Sequence, residues 1–270
     1  MKPKHVRSKI SQSADSRAGI VRVMTWNIHG GLGTDGRRDL QRIADFVRKH
    51  DPDVVALQEV GARRQIEGME KAFDFFAGAL EKHIAESRIV TAPDGNYGHA
   101  LLCRWPLMEA ACHDISYRRR EPRAAIEAVA QTPFGPLHVV TAHLGLSFAE
   151  RRHQAELLAA LVQTKAQHTV LMGDLNDWVW RGSVQTLLNR LFPGHSHMKT
   201  FPSFWPVFAL DRVYCRPKEM LKRSWTDPSA RKASDHLPVI ADLAVEDGLD
   251  AAGISPEGAG ARESHPGLLR

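Results

Sequence analysis

The sequence predicts an α/β protein in which mixed sheets pack on each other with helices outside. Three observations lead there. Apolar runs of strand length are interspersed with segments of helical spacing, and the strands outnumber the helices. The tetrapeptide TPFG (132–135) joins two strand-like runs as a hairpin, which argues against a purely parallel, doubly wound sheet.

The elements follow in chain order. IVRVMTW (20–26) reads as a buried strand. DLQRIADFVRKH (39–50) puts Leu40, Ile43, Ala44 and Val47 on one helical face, with Asp39 as N-cap and Asp51-Pro52 as its stop. DVVALQE (53–59) is a short apolar run of strand length. Residues 66–84 carry Ile66, Met69, Phe73, Ala77 and Leu80 at helical spacing, weakened by two glycines. AAIEAVAQ (124–131) and PLHVVTAHL (136–144) form the hairpin. ERRHQAELLAALVQ (150–163) is helical, HTVLMGD (168–174) a buried strand and SVQTLLNRLF (183–192) a short helix. FALDRVYC (208–215) and HLPVIADLAV (236–245) close the series as strands.

Residues 1–19 are basic and lack apolar periodicity; residues 246–270 are rich in Gly, Ala, Pro and charge. Both are expected to be disordered tails around one folded unit, 20–245, with no internal repeat. The net charge of +5 and pI of about 9.2 favour anionic partners without choosing among them. Three scattered cysteines, Cys103, Cys112 and Cys215, are too few for a disulfide framework or a zinc site and fit a reducing compartment. The chain shows neither a signal-peptide core nor a run of the roughly 20 apolar residues needed to cross a bilayer. A soluble, cytoplasmic protein without a transmembrane segment is expected, and no obligate protein partner.

The informative pattern is how the strands finish. One apolar run ends in Asn27, the next in Glu59, others in His143 and in Asp174 followed by Asn176. Asp211 sits in a further strand, and Asp235-His236 open the last. Singly, each has a plain structural reading: a turn former, a cap, a satisfied histidine. Jointly they place carboxylates, amides and imidazoles at rigid, partly dry positions suited to chemistry. Motifs for other chemistries, GxSxG and HExxH, are missing, and GGLG (30–33) lacks the spacing and the Lys-Ser/Thr of a phosphate loop. Hard oxygen ligands such as Glu59 and Asp235 prefer Mg2+ or Mn2+. With His, Asp and Asn around the ion, the set suits hydrolysis of a phosphate ester.

Six motifs, TWNIHG (25–30), LQEV (57–60), TAHLG with RRHQ (141–145, 151–154), GDLND (173–177), LDRVY (210–214) and SDHLPV (234–239), resemble in type and order those of the endonuclease/exonuclease/phosphatase superfamily. That family includes pancreatic-type deoxyribonucleases, abasic-site endonucleases, bacterial sphingomyelinases and inositol polyphosphate phosphatases. The resemblance implies a four-layer α/β sandwich, two mixed sheets face to face with helices on both outer faces. It implies Glu59 and Asp235 as metal ligands, with Asn27 supporting the metal or the phosphate. It further implies His236 on the scissile phosphate, Asp211 pairing with His236, and Asp174 orienting or deprotonating the attacking water. Asn176 and His143 would donate to phosphoryl oxygens. Whether Asp174 or His236 is the base stays open. Arg123 is read either as a phosphate donor or as a surface arginine. Asp174 and Asn176, two residues apart, converge on one pocket if the backbone stays extended; Asp177 is expected to cap the following loop.

The expected activity is that of a metal-dependent phosphodiesterase. Basic pairs at 37–38, 63–64, 118–120, 151–152 and 222–223 put nucleic acid slightly ahead of phospholipid as substrate, while aromatics at Trp178, Trp180, Phe201, Phe204 and Trp205 suit base stacking, a lipid interface or plain core packing. A phospholipid or small phosphoester is the alternative. A non-catalytic binding module is disfavoured, because no member of the constellation is missing.

Overall fold

A computed structural model describes residues 19–62, 69, 71–92, 95–163, 166–178 and 183–245. Both expected tails (Gly19 apart) lie outside the described residues, as do Arg63, Arg64, Ile66 and Trp180.

Twelve strands among the described residues form two six-stranded sheets. The first contains β1 (Ile20–Asn27), β2 (Val54–Gly61), β3 (His83–Ala92), β4 (Gly95–Cys103), β11 (Leu221–Trp225) and β12 (Val239–Ala244) in the order β11-β12-β1-β2-β4-β3. The second contains β5 (Leu107–Asp114), β6 (Ala124–Thr132), β7 (Gly135–His143), β8 (Thr169–Asp174), β9 (Gly194–His195) and β10 (Asp211–Arg216) in the order β5-β6-β7-β8-β10-β9. Each sheet has one parallel pair, β1 with β2 and β7 with β8, and is otherwise antiparallel.

The parallel pairs are joined by helical crossovers, as parallel strands require. The first is α1 (Leu40–His50). Asp39 caps it, accepting from the Arg42 N–H at 3.0 Å, and Asp51 ends it in a left-handed conformation. The second is α3 (Phe148–Leu161), opened by a capping box between Ser147 and Glu150. With α2 (Ala72–Leu80) and α4 (Ser183–Leu191), these helices complete the four layers. Val21, Val23, Val54 and Ala56 meet Ile126, Val139, Val170 and Val213 between the sheets. Met24, Trp26 and Leu57 pack outward under α1 and α2, and Val140, Leu171 and Tyr214 under α3 and α4. Apolar side chains on both faces explain why the central strands read as continuous apolar runs.

Three expectations need correction. Of the helix expected over 66–84, the described residues show 72–80, and it stops short of 84 because Glu81 turns left-handed and His83 and Ile84 pair with β4. The segment carrying Asp235 and His236 does not open a strand; it follows a 3-10 turn at Pro228–Lys232, and β12 starts at Val239. The strand expected from Phe208 starts at Asp211, with Phe208 bridged to Phe201 instead. No helix among the described residues is long and apolar enough to cross a membrane.

Candidate active site

The C-terminal ends of both parallel pairs meet at one edge of the sandwich. Asn27 ends β1, and His143 and Asp174 end β7 and β8 as a register pair. Asp211 begins β10 directly opposite Asp174 on the other side. Glu59 lies in a β-bulge of β2, with a left-handed φ of 57°. A bulge adds a residue and re-aims its side chain, so Glu59 faces the site although Gln58 and Val60 on either side are buried. Gly173, at φ 153°, permits the approach to Asp174: a Cβ there would strike the Ala142 carbonyl on β7.

A cavity of about 370 Å³ opens at this edge. Seven of the expected residues line it: Asn27, Glu59, Arg123, His143, Asp174, Asn176 and His236. Asp211 sits behind them, fully buried and bonded to His236. Asp235 is not part of this lining. Its side chain is 38% exposed and stands 3.7 Å from His29 Nδ1. It is nevertheless tied to the same edge, since the Ser234 hydroxyl lies 2.7 Å from the Asn27 carbonyl and 3.3 Å from Asp235 Oδ1.

Hydrogen bonds fix the orientation of each group. Asn27 Nδ2 donates to Glu59 Oε1 at 3.1 Å and to Asp174 Oδ2 at 2.9 Å, while its Oδ1 accepts from the His29 N–H. Arg123 Nη1 lies 3.2 Å from His143 Nδ1. A guanidinium only donates, so Nδ1 must accept, and the His143 proton is on Nε2. That Nε2 points inward, 3.4 Å from Asp174 Oδ2 and 4.0 Å from Glu59 Oε1. His236 Nδ1 contacts Asp211 at 2.7 Å, and its Nε2 is 3.9 Å from Asp174.

Burial alone would lower the basicity of His236, but the Asp211 and Asp174 carboxylates outweigh it and raise its pKa. Burial likewise pushes the Asp174 carboxyl up, against the pull of the His236 cation and its hydrogen bonds from Asn27 and Asn176. Both shifts are upward, but they leave the carboxyl at about 6 and the imidazole at about 10, so that at neutral pH the first is largely ionised and the second protonated, as an acid and base working together need.

The backbone is not extended at Asn176, which is left-handed at φ 50°. Its N–H bonds Asp174 Oδ1 at 3.0 Å and its side-chain nitrogen bonds the Leu144 carbonyl at 2.8 Å. Both side chains still reach the cavity because Leu175 between them turns into the core. Asp177 stands outside this cavity and accepts from the Gln185 N–H at 3.0 Å, capping α4 rather than the loop. Arg123 is buried and lines the cavity, so it is not a surface arginine.

Ligand-capable atoms of Asp174, Asp211 and His236 lie within 4.8 Å of one another. The 2.7 Å proton-sharing contact and the raised basicity of His236 make this a proton-handling group, poorly suited to hold a cation. The bulged Glu59 and partly exposed Asp235 are hard oxygen donors with access to water and fit a divalent cation better. The cavity also has members that the sequence reading did not single out, Glu121, Leu146, Phe208 and Leu210, for which chain position was the only signal.

Residues 24–236 match the model of the Endonuclease/Exonuclease/phosphatase family. The uncharacterized protein YbhP of Escherichia coli (strain K12) is 30% identical over 246 residues, which cover 82% of this chain and 95% of that protein. Among solved structures, an endonuclease/exonuclease/phosphatase from Beutenbergia cavernae superposes with a TM-score of 0.69 at 21% identity, over 84% of this chain and 72% of that one. Truncated TDP2 from Caenorhabditis elegans superposes with a TM-score of 0.61 at 18% identity, over 85% and 99%. These solved structures share the fold. The chain belongs to the endonuclease/exonuclease/phosphatase family.

Proposed function

We propose that this chain is a divalent-metal-dependent phosphodiesterase that works by in-line attack of water. The carrying observation is the pairing of a buried carboxyl, Asp174, with a histidine, His236, that Asp211 keeps protonated, at one cavity with two inward donors. A histidine carrying both protons cannot accept another, which leaves Asp174 as base and His236 as acid. Asp174 takes the water proton, while His236 Nε2–H protonates the departing ester oxygen. The His143 Nε2–H and the Asn176 amide donate to the phosphoryl oxygens as charge builds. Arg123 acts through His143, fixing its tautomer and adding positive charge behind the phosphate.

A Mg2+ or Mn2+ ion held by Glu59 and Asp235 would offset the phosphate charge and polarise the phosphoryl bond. Asn27 serves this ion indirectly, by holding Glu59 and Asp174 in place. A reducing, cytoplasmic setting accords with three free thiols, two of them buried.

The expectation of nucleic acid rested largely on basic pairs, and several of these are used inside the fold. Arg151 is buried against the Leu146 carbonyl, Arg38 bonds the Gly30 carbonyl, and Arg223 pairs with Asp242 at 2.7 Å. The reaction is the same for a lipid diester. Bis-p-nitrophenyl phosphate tests it: turnover should need Mg2+ or Mn2+, stop with EDTA and return with excess ion. No metal-dependent turnover under any divalent ion tried would overturn the reading.

A further inference from the structure

Among the described residues, eight large hydrophobic side chains are exposed, and seven of them lie on three segments that contribute to the lining of the candidate active site. Leu146, 70% exposed, and Phe148 flank the start of α3; Trp178 is on the loop after β8. The other four lie on the 201–208 loop, where Phe204 and Trp205 are 71% and 74% exposed. Only Met108, on β5, stands elsewhere. Leu146, Trp178, Phe201 and Phe208 themselves line the cavity, so the three segments form a collar around it.

The collar is held in place. Phe201 and Phe208 exchange backbone hydrogen bonds at 3.1 and 2.9 Å, closing the base of the loop. Ser203 ties the loop to the catalytic segment, its hydroxyl 2.7 Å from the Ser234 carbonyl and its N–H 2.6 Å from that of Asp235. Aromatic side chains are thus presented to water on a braced support. Contiguous apolar exposure of this kind marks an interaction surface.

The chemistry of the collar favours one partner. Aliphatic tips such as Leu146 and Val207 offer no face for base stacking, but they suit the boundary between headgroups and acyl chains, as do Trp and Phe. Cationic groups flank the apolar tips. Arg231 lies 5.9 Å from the Phe204 ring, Lys199 and Lys232 are exposed, and exposed Arg118, Arg119 and Arg120 share a loop with the cavity residues Glu121 and Arg123. Basic and apolar groups together are what an anionic bilayer surface selects.

We propose that this collar docks the chain on an anionic phospholipid surface and that the site hydrolyses a headgroup phosphodiester there. The second half rests on the phosphodiesterase reading; the docking does not. Water forms the new bond to phosphorus and yields a proton to Asp174. The bond to one ester oxygen breaks and that oxygen takes a proton from His236, giving a phosphate monoester and an alcohol.

The test uses the full chain, sucrose-loaded vesicles of phosphatidylcholine with or without phosphatidylglycerol, and the double variant Phe204→Ser/Trp205→Ser. Neither side chain lines the cavity, so turnover of soluble bis-p-nitrophenyl phosphate and the thermal midpoint report on integrity. Wild type should sediment with the anionic vesicles and less with the neutral ones. The variant should partition at least about tenfold more weakly and release product from vesicles correspondingly slower, with soluble turnover kept. Wild type left in the supernatant, or a variant that binds as wild type does, overturns docking. So does a variant that loses oligodeoxythymidine but not vesicles, which would make the collar a base-stacking platform. Vesicle binding without turnover of any ester would uphold docking and sink the phosphodiesterase reading instead.

Discussion

His236 Nδ1 and Asp211 Oδ2 are 2.7 Å apart, the imidazole nearly and the carboxylate wholly removed from solvent. At that separation in a dry setting the carboxylate holds the proton on the ring, whereas burial by itself would remove it. Asp211 also fixes which nitrogen faces the cavity. It is therefore a positioning residue whose effect is exerted through His236.

Asp211→Asn keeps the shape of this contact and removes its charge. Burial then dominates, the His236 pKa falls, and the proton required for the leaving group is lost at lower pH. The alkaline limb of the activity profile should move to lower pH, with a rate loss on the order of 10²–10³ at neutral pH. An alkaline limb that stays in place would show that His236 is not the acid.

Glu59 owes its aim to the bulge in β2, and a Gln there keeps the shape while halving the negative charge offered to a cation. Mn2+ should raise the thermal midpoint of the wild type, a stabilisation of about 2.7 kcal/mol at a hundredfold excess over Kd. Glu59→Gln should shift much less at equal ion concentration. Equal shifts would place the ion elsewhere.

Asp242 lies far from the cavity chemistry and reports on the fold. Arg22 and Arg223 each donate to it at 2.7 Å. Burial raises its pKa, but those two hydrogen bonds outweigh burial and leave it lowered. A carboxyl depressed in the folded state stabilises above its unfolded pKa, and that stability is lost as pH falls through the folded value. Asp242→Asn should thus cost on the order of 1 kcal/mol at pH 7 and progressively less below about pH 4. Urea midpoints at the two pH values measure this, and a difference that persists in acid would contradict it.

Much of the site was legible because its residues directly follow apolar runs. Asn27, His143 and Asp174 end central strands, where burial on both faces leaves an uninterrupted apolar signal and a sharp stop. The edge strands β3 and β5 lacked that signal. Residues 107–114 are mostly exposed, and pairing rather than periodicity makes them a strand. Helical spacing beyond Leu80 was overridden by pairing of His83 and Ile84 with β4. The left-handed backbone at Glu59 and Asn176 was hidden for another reason, since φ at these non-glycine positions is imposed by tertiary contacts. The collar was seen only as scattered aromatics; its clustering required the Phe201–Phe208 bridge to close the loop beside the cavity.

The central claim is that Asp174 and His236 act as base and acid on a phosphodiester. Initial rates on bis-p-nitrophenyl phosphate with Mn2+, for wild type, Asp174→Asn and His236→Gln at matched folded fractions, test it most directly. The account predicts that each substitution lowers kcat by on the order of 10²–10⁴, with the double variant little worse than either single one. Variants that turn over within about twofold of wild type, a difference of only some 0.4 kcal/mol in barrier, would contradict it.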